Sequence, residues 1–308
     1  MGATTHMKIL LWTASLLIVV VLLAAAAQTF RYLRTRRDVV ADRQELFYSS
    51  SVFHVVTLVE LAPGQGLLPG VSRLVEAIEE QGAKAIYAGK VAVNALYSKQ
   101  LPEVEWDAYV LAQYPSRAAY DASAADPAYQ EARESFARSY AMGMQRPAVL
   151  NLGVPIGLLG VRAADIVRGR PPRYPFEPAV LPEDVPEEML ARRDQLVRGL
   201  LANREYGSEA LVVFNFIKEG SEEERAANAG YGRTMLGMMA ELGIGPMHIG
   251  RAVTLEGDAE FDNIAIVYYP GVEFFAEMVQ SSFYTSISGG KQLGDTLVSP
   301  TVPLLPHL

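Results

Sequence analysis

The hydrophobic pattern of the chain is dominated by one uninterrupted apolar stretch near the N-terminus. Residues 9–27 contain no charged residue, no glycine and no proline. As a helix that rises about 1.5 Å per residue, these 19 residues reach about 28 Å, close to the ~30 Å hydrocarbon core of a bilayer. The pattern predicts a membrane-spanning helix, and the mixed, charged sequence after it predicts a globular body.

A cleaved signal peptide competes with an anchor for this stretch, because Lys8 precedes it and four alanines end it. The apolar run exceeds the usual length of a signal peptide, however, and a basic cluster that resists translocation follows it. We therefore predict an uncleaved single-pass anchor in the cytoplasmic (inner) membrane, with the body on the cytoplasmic side and lipid as a partner. The residues expected at the membrane interface are Trp12, Arg31, Arg34, Arg36 and Arg37.

The periodicity after residue 50 predicts alternating strands and helices. Residues 53–61, 85–93 and 106–114 are rich in β-branched and aromatic residues and predict strands, with a helix over 71–82. Ser116 is placed to cap a second helix, which is interrupted at Asp126–Pro127 and resumes through Tyr140. Residues 147–152 are a possible fourth strand. The resulting order is β-α-β-β-α-β, the ferredoxin-like unit.

A second run of the same kind begins near residue 209. Strands are predicted over 211–217, 247–255 and 261–269, helices over 221–242 and 273–286, and an extended segment over 296–305. Between the two runs, glycines and a proline break up the apolar residues 153–167, which favours a strand end and a packed or membrane-grazing turn. The prolines of residues 171–186 favour an extended linker, and Asp184 is placed to cap a helix after it.

The two runs share landmarks at one constant offset. Tyr114-Pro115 corresponds to Tyr269-Pro270, Tyr129 to Tyr284, and the acidic-aromatic-acidic residues 105–107 to residues 260–262. Landmarks that keep one spacing in equivalent elements indicate a tandem duplication. Because helices cover only one face of a ferredoxin-like sheet, a second copy can bury the other face.

These observations predict an α+β fold with an N-terminal transmembrane helix. Two ferredoxin-like repeats follow, and they form an intrachain pseudo-dimer of the α/β-barrel type. The expected divisions are residues 1–28 for the anchor, 29–50 for a juxtamembrane helical stalk, 51–153 for the first repeat, 154–207 for an apolar and Pro-rich linker with a helix, and 208–308 for the second repeat and an extended tail.

Residues 114–137, YPSRAAYDASAADPAYQEARESFA, carry a resemblance to a known group. They resemble small stand-alone domains of unknown function in the dimeric α/β-barrel superfamily, in which an aromatic-Pro-Ser turn leads into a helix that breaks before Tyr-Gln. Residues 269–287 keep the pattern more loosely. The resemblance implies two sheets that face each other, here supplied by one chain, and the superfamily includes haem enzymes and monooxygenases.

The amino-acid composition argues against several kinds of partner and functional site. The net charge of −8, with no basic face beyond the juxtamembrane arginines, argues against a nucleic-acid partner. The chain has no cysteine, so disulfides, thiolate metal sites and cysteine nucleophiles are excluded. Of the four histidines, two lie near the termini, which makes a multi-histidine metal cluster a poor interpretation. We predict no metal and no cofactor.

Two motifs resemble catalytic or nucleotide-binding patterns. The glycine-rich residues 64–70 lie between a strand and a helix, but the ribose-binding acidic residue is missing after the next strand, so a plain loop is favoured. The paired carboxylates of residues 105–107 and 260–262 are explained by strand alternation alone, as solvated strand starts around a core aromatic. Neither motif predicts a catalytic residue.

The remaining candidates lie inside apolar strands. His54 and His248 are either haem ligands or general bases, or they are buried hydrogen-bonded histidines, the interpretation that we favour. Thr57 and Asn215 are polar residues in apolar strands, so His54, Thr57 and Asn215 are the candidates for lining a cleft between the two sheets. The methionines between 235 and 247 are interpreted as core filler.

With no recognisable catalytic set, the first hypothesis is a non-catalytic accessory or stabilising subunit of a larger membrane complex, whose other subunits are its partners. The apolar tail and the Pro-rich linker would then contact a partner chain. The alternative is a membrane-tethered enzyme or sensor that binds a small apolar ligand between the two sheets.

Overall fold

The computed structural model describes residues 2–40, 49, 51–95, 97–101, 104–147, 149–181, 187–291 and 294–308. Strands and helices alternate along these residues. The strands are β1 (Phe53–Glu60), β2 (Lys84–Val91), β3 (Ala108–Tyr114), β4 (Arg138–Gln145), β5 (Leu211–Ile217), β6 (Pro246–Thr254), β7 (Asn263–Tyr269) and β8 (Leu297–Pro303). The helices are α1 (Gly2–Val40), α2 (Leu67–Glu80), α3 (Arg117–Ala124), α4 (Pro127–Glu134), α5 (Leu150–Val167), α6 (Glu187–Leu201), α7 (Arg204–Gly207), α8 (Glu222–Leu242), α9 (Val272–Val279), α10 (Ser282–Ser288) and a final 3-10 turn, Leu305–His307.

The eight strands close into one antiparallel barrel in the order β1-β3-β2-β8-β5-β7-β6-β4. Strands β1–β4 are contiguous in this order, as are β5–β8, so each half of the chain supplies one half of the wall. Two seams join the halves. Residues Gly89–Val91 of β2 pair with β8, and residues Met142–Gln145 of β4 pair with β6. The prediction of an α+β fold built on a barrel is thus confirmed.

Aromatic side chains from both halves fill the interior of the barrel. The ring of Phe214 lies 5.6 Å from that of Tyr87 and 5.1 Å from that of Tyr109, measured between centroids. The two phenol groups are satisfied there, since Tyr87 is 2.7 Å from the hydroxyl of Thr301 and Tyr109 is 2.7 Å from that of Ser299. A barrel of eight strands is just wide enough for such side chains, so its interior is a packed core.

Helices cover the outer face of each half. In the first half, α2, α3 and α4 lie on β1–β4, and in the second half α8, α9 and α10 lie on β5–β8. The predicted helix starts are confirmed. The side chain of Ser116 accepts a bond from the Ala119 amide at 3.1 Å, and Asp126 caps α4 with Pro127 in its first turn. Ser221 and Glu224 form a capping box at the start of α8.

Two predictions about residues 135–167 are wrong. The fourth strand is β4, not residues 147–152, because Tyr140, Met142 and Met144 alternate with the small Ala141 and Gly143 and point into the barrel. The spacing of the aromatic residues up to Tyr140 is compatible with a helix, and for this reason the sequence predicted a helix there.

Residues 150–167 form α5 rather than a turn. Although this helix contains Pro155, its residues Val154, Leu158 and Val161 follow helical spacing and pack on the core. Tertiary packing therefore overrides the glycines and the proline that suggested a break.

The N-terminal apolar stretch lies within α1. Along the described residues, one helix is long and apolar enough to cross a bilayer, over residues Trp12–Tyr32, with a mean hydropathy of 2.1 and 6% of the most apolar window buried. Its C-terminal part is not a free stalk. Tyr32 is buried and donates a hydrogen bond to the Pro246 carbonyl, and Leu158 of α5 packs beside it. The predicted stalk residues 41–48 lie outside the described part of the chain.

The two extensions pack on the body. Strand β8 is buried along its length and pairs with β5 and β2, so the predicted extended segment is confirmed as a strand that completes the barrel. In the Pro-rich linker, Phe176 is buried 5.3 Å from Phe274, between ring centroids, and Pro178 bridges to Ser281. The expected helix cap Asp184 lies outside the described residues.

Candidate functional site

A cavity of about 410 Å³ lies between the outer face of the second-half strands and the helices that cover them. Its floor is formed by outward-facing side chains of β5, β7 and β8, among them Val213, Ala265 and Val298. Its roof is formed mainly by α8, with Met235 and Met239 facing the space. The cavity is therefore outside the barrel, in the layer between sheet and helices.

Small residues at two positions keep this space open. Ala265 presents only a methyl group from the floor, and Gly232 presents no side chain from the roof, where an added Cβ would meet no atom within 4 Å. In the first half, the corresponding layer is packed by aromatic side chains. Tyr120 and Tyr129 are buried there, and the ring of Tyr120 lies 5.3 Å from that of Tyr114.

The polar groups of the cavity are few. Tyr231, Tyr269 and Tyr284 line it together with two asparagines and one lysine. Burial is the largest cause that raises the pKa of each of these three phenols, so all three stay neutral at physiological pH. Asn215 donates its amide protons to the carbonyl oxygens of Val213 and Ala265, at 3.3 and 3.0 Å, which leaves its own carbonyl oxygen as the group that can accept from a ligand.

Lys291 is the charged residue of this set. It follows α10 and the pair Gly289-Gly290, it is half-buried by surface area, and it lines the mainly apolar cavity. Burial alone lowers the pKa of Lys291 to about 8, since no neighbouring charge contributes. No carboxylate within the described part of the chain forms an ion pair with it.

The structure separates the three predicted cleft residues. His54 points into the barrel interior, where its ring lies 5.9 Å from that of His248, between centroids. Thr57 points the other way, under the first-half helices beside Tyr129. Burial raises the pKa of the Tyr129 phenol, and Arg133 and the Thr57 hydroxyl oppose this effect. Asn215 faces outward in the second half, in the cavity just described.

The predicted membrane-interface residues fall into two groups. Trp12 is 77% exposed, and Arg34 is also exposed. The guanidinium of Arg31 instead donates to the Leu242 carbonyl at 2.7 Å, at the C-terminus of α8, where a positive charge complements the helix dipole. The side chains of Arg36 and Arg37 lie outside the described part of the structure. Contact of these residues with a membrane remains a prediction.

Sequence reasoning missed most of the cavity. The sequence did not identify Lys291, Tyr231 or the opening left by Gly232. The cavity depends on which helix faces which strand, and a local pattern does not show this. Met235 and Met239 were interpreted as core filler; they are buried in the core as predicted, and they also line the cavity. A usable signal was the isolated Lys291 after two glycines in an otherwise apolar and hydroxylated stretch. No group of three or more metal-ligating side chains occurs among the residues that the structure describes.

No family model and no curated protein matches the sequence. The solved structures that match are dimeric α/β-barrel proteins. A variant of chlorite dismutase from Candidatus Nitrospira defluvii matches with 13% identity and a TM-score of 0.42, over 85% of this chain and 96% of that one. A protein described as a monooxygenase, from Fusobacterium nucleatum, matches with 8% identity and a TM-score of 0.41, over 83% and 94%. A Rhodopseudomonas palustris protein of unknown function matches with 21% identity and a TM-score of 0.25, over 32% of this chain and 85% of its own.

At these identities and TM-scores, the comparison transfers no specific activity to the chain. The prediction of a non-catalytic accessory subunit is nevertheless contradicted, because the matched proteins whose descriptions name a function include a chlorite dismutase and a monooxygenase. Parts of the two extensions that motivated the accessory-subunit hypothesis also pack on the body of this chain, namely strand β8 of the tail and Phe176 of the linker.

Proposed function

We propose that this protein binds a small, largely apolar molecule in the cavity between the second-half strands and α8. The observation that carries the proposal is the cavity itself. Its volume of about 410 Å³ lies in the usual range for small-molecule sites. Its walls are mostly aliphatic side chains, methionines and aromatic rings, with few polar groups, as in most such sites. Methionine side chains adapt to ligands of irregular shape, which suits this role.

The site proposed here differs from the sequence-based alternative, which placed the ligand between the two sheets. That space is occupied, because the rings of Tyr87, Tyr109 and Phe214 pack against one another in the barrel interior. Opening it would require breaking their contacts and the hydrogen bonds to β8. The outer cavity needs no such rearrangement.

A cavity-filling variant tests the proposal. In Gly232→Phe, the new ring enters open space in the roof, so we expect the affinity for the neutral apolar probe N-phenyl-1-naphthylamine to fall about tenfold or more, a loss of about 1.4 kcal/mol. The matched control is Gly230→Phe, two residues away on α8 and not part of the cavity wall. Probe fluorescence is titrated against the full chain in a fluorinated surfactant, which dissolves little hydrocarbon.

Equal affinity of Gly232→Phe and the unchanged protein would contradict this site, provided that circular dichroism shows the same helix content in both variants. An equal loss in Gly230→Phe would also contradict it, because the effect would then belong to α8 as a whole rather than to the space beneath it.

We further propose that the two halves are ferredoxin-like repeats of a tandem duplication. Support comes from the strand order, which is β4-β1-β3-β2 in the first half and β8-β5-β7-β6 in the second, the same order after renumbering. The conserved spacing of Tyr114 and Tyr269, and of Tyr129 and Tyr284, supports it independently.

We also keep the proposal that α1 anchors the body at the cytoplasmic face of a membrane, in contact with lipid. The apolar Trp12–Tyr32 segment and the arginines after it support this orientation. Protease added to right-side-out vesicles should leave the body intact. Its digestion there would contradict the orientation.

A further inference from the structure

The cavity has a polar end and an apolar end. The lining residues of α8 run from Asn228 to Met239, a rise of about 16 Å along the helix axis. Gly290, next to Lys291, lies against the Ala227 carbonyl and Tyr231, so the amine belongs to the Asn228 end. At the other end, the wall consists of residues such as Leu236, Met239 and Pro246. The shape suits an elongated molecule with one polar head.

The polar end of the cavity carries a positive charge that no carboxylate of the described residues pairs. Lys291 is the charged residue among the described residues that line the cavity, and its neighbours there are neutral phenols and an amide. A cation in apolar surroundings is normally paired, because burying it without a counter-charge is strongly unfavourable. Since the described part of the protein supplies no carboxylate to Lys291, a ligand can supply one.

Building on the proposed function, we propose that the cavity selects an apolar carboxylic acid, with its carboxylate paired to Lys291 and its hydrocarbon tail among the methionines of α8. Such an ion pair is a charge-assisted hydrogen bond, which is shorter and stronger than a neutral one. The apolar end then contributes affinity in proportion to the length of hydrocarbon tail that it buries.

The groups around Lys291 leave it as the side chain that titrates at the polar end. Tyr231, Tyr269 and Tyr284 face the cavity from α8, β7 and the α10 segment, and burial raises the pKa of each above its usual value of 10. Lys218 and Glu219, at the adjacent end of β5, interact with Asp262 and Arg225, each at 3.9 Å. Carboxylate affinity should therefore be highest between about pH 5, where the acid is ionised, and pH 8, where the amine loses its proton.

Octanoate and octan-1-ol are the probes, as they share a tail and differ in charge. The full chain in a fluorinated surfactant is titrated with each by calorimetry. At pH 7 we expect octanoate to bind about tenfold more tightly than octan-1-ol. Lys291→Met should reduce octanoate affinity about tenfold, leave octan-1-ol affinity within about threefold, and abolish the fall in octanoate affinity between pH 7 and 9.5. Lys291→Arg should keep the preference for octanoate and remove that fall, because arginine does not titrate there.

Unchanged octanoate affinity in Lys291→Met, or a pH profile shared by both proteins, would overturn the inference while octan-1-ol binding still supports the cavity. The proposed function fails separately. If neither compound binds, or if Gly232→Phe binds both as well as the unchanged protein, the cavity is not the site, and the selectivity has no basis.

Discussion

At the scale of single residues, tyrosines at matching positions of the two halves have different surroundings. Tyr114 and Tyr129 are almost completely buried and pack the first-half layer with Tyr120. Their counterparts Tyr269 and Tyr284 present part of their surface to an open cavity. The difference follows from the neighbours, since Gly232 and Ala265 border open space in the second-half layer, whereas the ring of Tyr120 packs against Tyr114 in the first-half layer. A shared spacing in the sequence therefore predicts the position of a residue but not whether it packs against other rings or lines a cavity.

Lys291 leads to a prediction about stability in the absence of ligand. Its pKa is about 8 in the folded protein and 10.5 when exposed, so at pH 7 folding buries a charged amine. Lys291→Met should therefore be more stable than the unchanged protein at pH 7, by about 1–2 kcal/mol after allowance for screening by water. Between pH 8 and 10.5 the unfolded chain holds more protons on Lys291, so the unchanged protein gains stability with pH and the gap narrows.

Denaturant unfolding of the two proteins at pH 7, 8, 9 and 10, without ligand and in the same surfactant, measures this gap. Tyrosine ionisation affects both proteins equally and cancels in the difference. A gap that stays constant from pH 7 to 10 would show that the amine is solvated, and would remove one support for the charged head group.

At the scale of elements, the junction of α1 with the body is the contact that the sequence did not reveal. Gly243 ends α8 with a φ of +74°, and an added Cβ there would lie 2.5 Å from the Nε atom of Arg31. Glycine thus serves both the left-handed turn and the close approach of Arg31 to the Leu242 carbonyl. Because Arg31 was predicted as a topology signal and a membrane-interface residue, its role as a partner of a helix C-terminus was not predicted.

The C-terminal tail allows a prediction that corrects the sequence-based one. The tail was expected to contact a partner chain. Leu304 is fully buried against the first-half helices, and its amide donates to the Ala88 carbonyl at 2.8 Å. Leu304→Ala should therefore lower the free energy of unfolding by about 2–5 kcal/mol.

The control is Leu308→Ala, since Leu308 is 38% exposed, and its change should stay within about 0.5 kcal/mol. Urea unfolding followed by circular dichroism compares the two variants. Similar small effects in both would mean that the last residues do not contribute to the barrel core.

At the scale of the whole molecule, the sequence predicted seven of the eight strands in their order along the chain, but neither β4 nor the contacts between the two halves. The β-branched and aromatic residues of 53–61 and 211–217 were sufficient to place β1 and β5, and Ser116 placed the start of α3. Strand β4 was missed, because Ala141 and Gly143 hide the alternation. The seams and the cavity depend on distant residues such as Gly89 and Pro303, which no local pattern brings together.

On the proposed function, the second-half layer, and not the barrel interior, receives an apolar ligand. Methyl NMR of the full chain with labelled methionines tests it directly, because the ten methionines include reporters for both places. Met235, Met239 and Met278 line the cavity, and Met142 and Met144 lie in the barrel core. On addition of octan-1-ol, we predict shifts of the first three signals with the last two unchanged. Shifts of Met142 and Met144 without shifts of Met235, Met239 and Met278, or no shift of any methionine signal, would contradict a ligand site in the second-half layer.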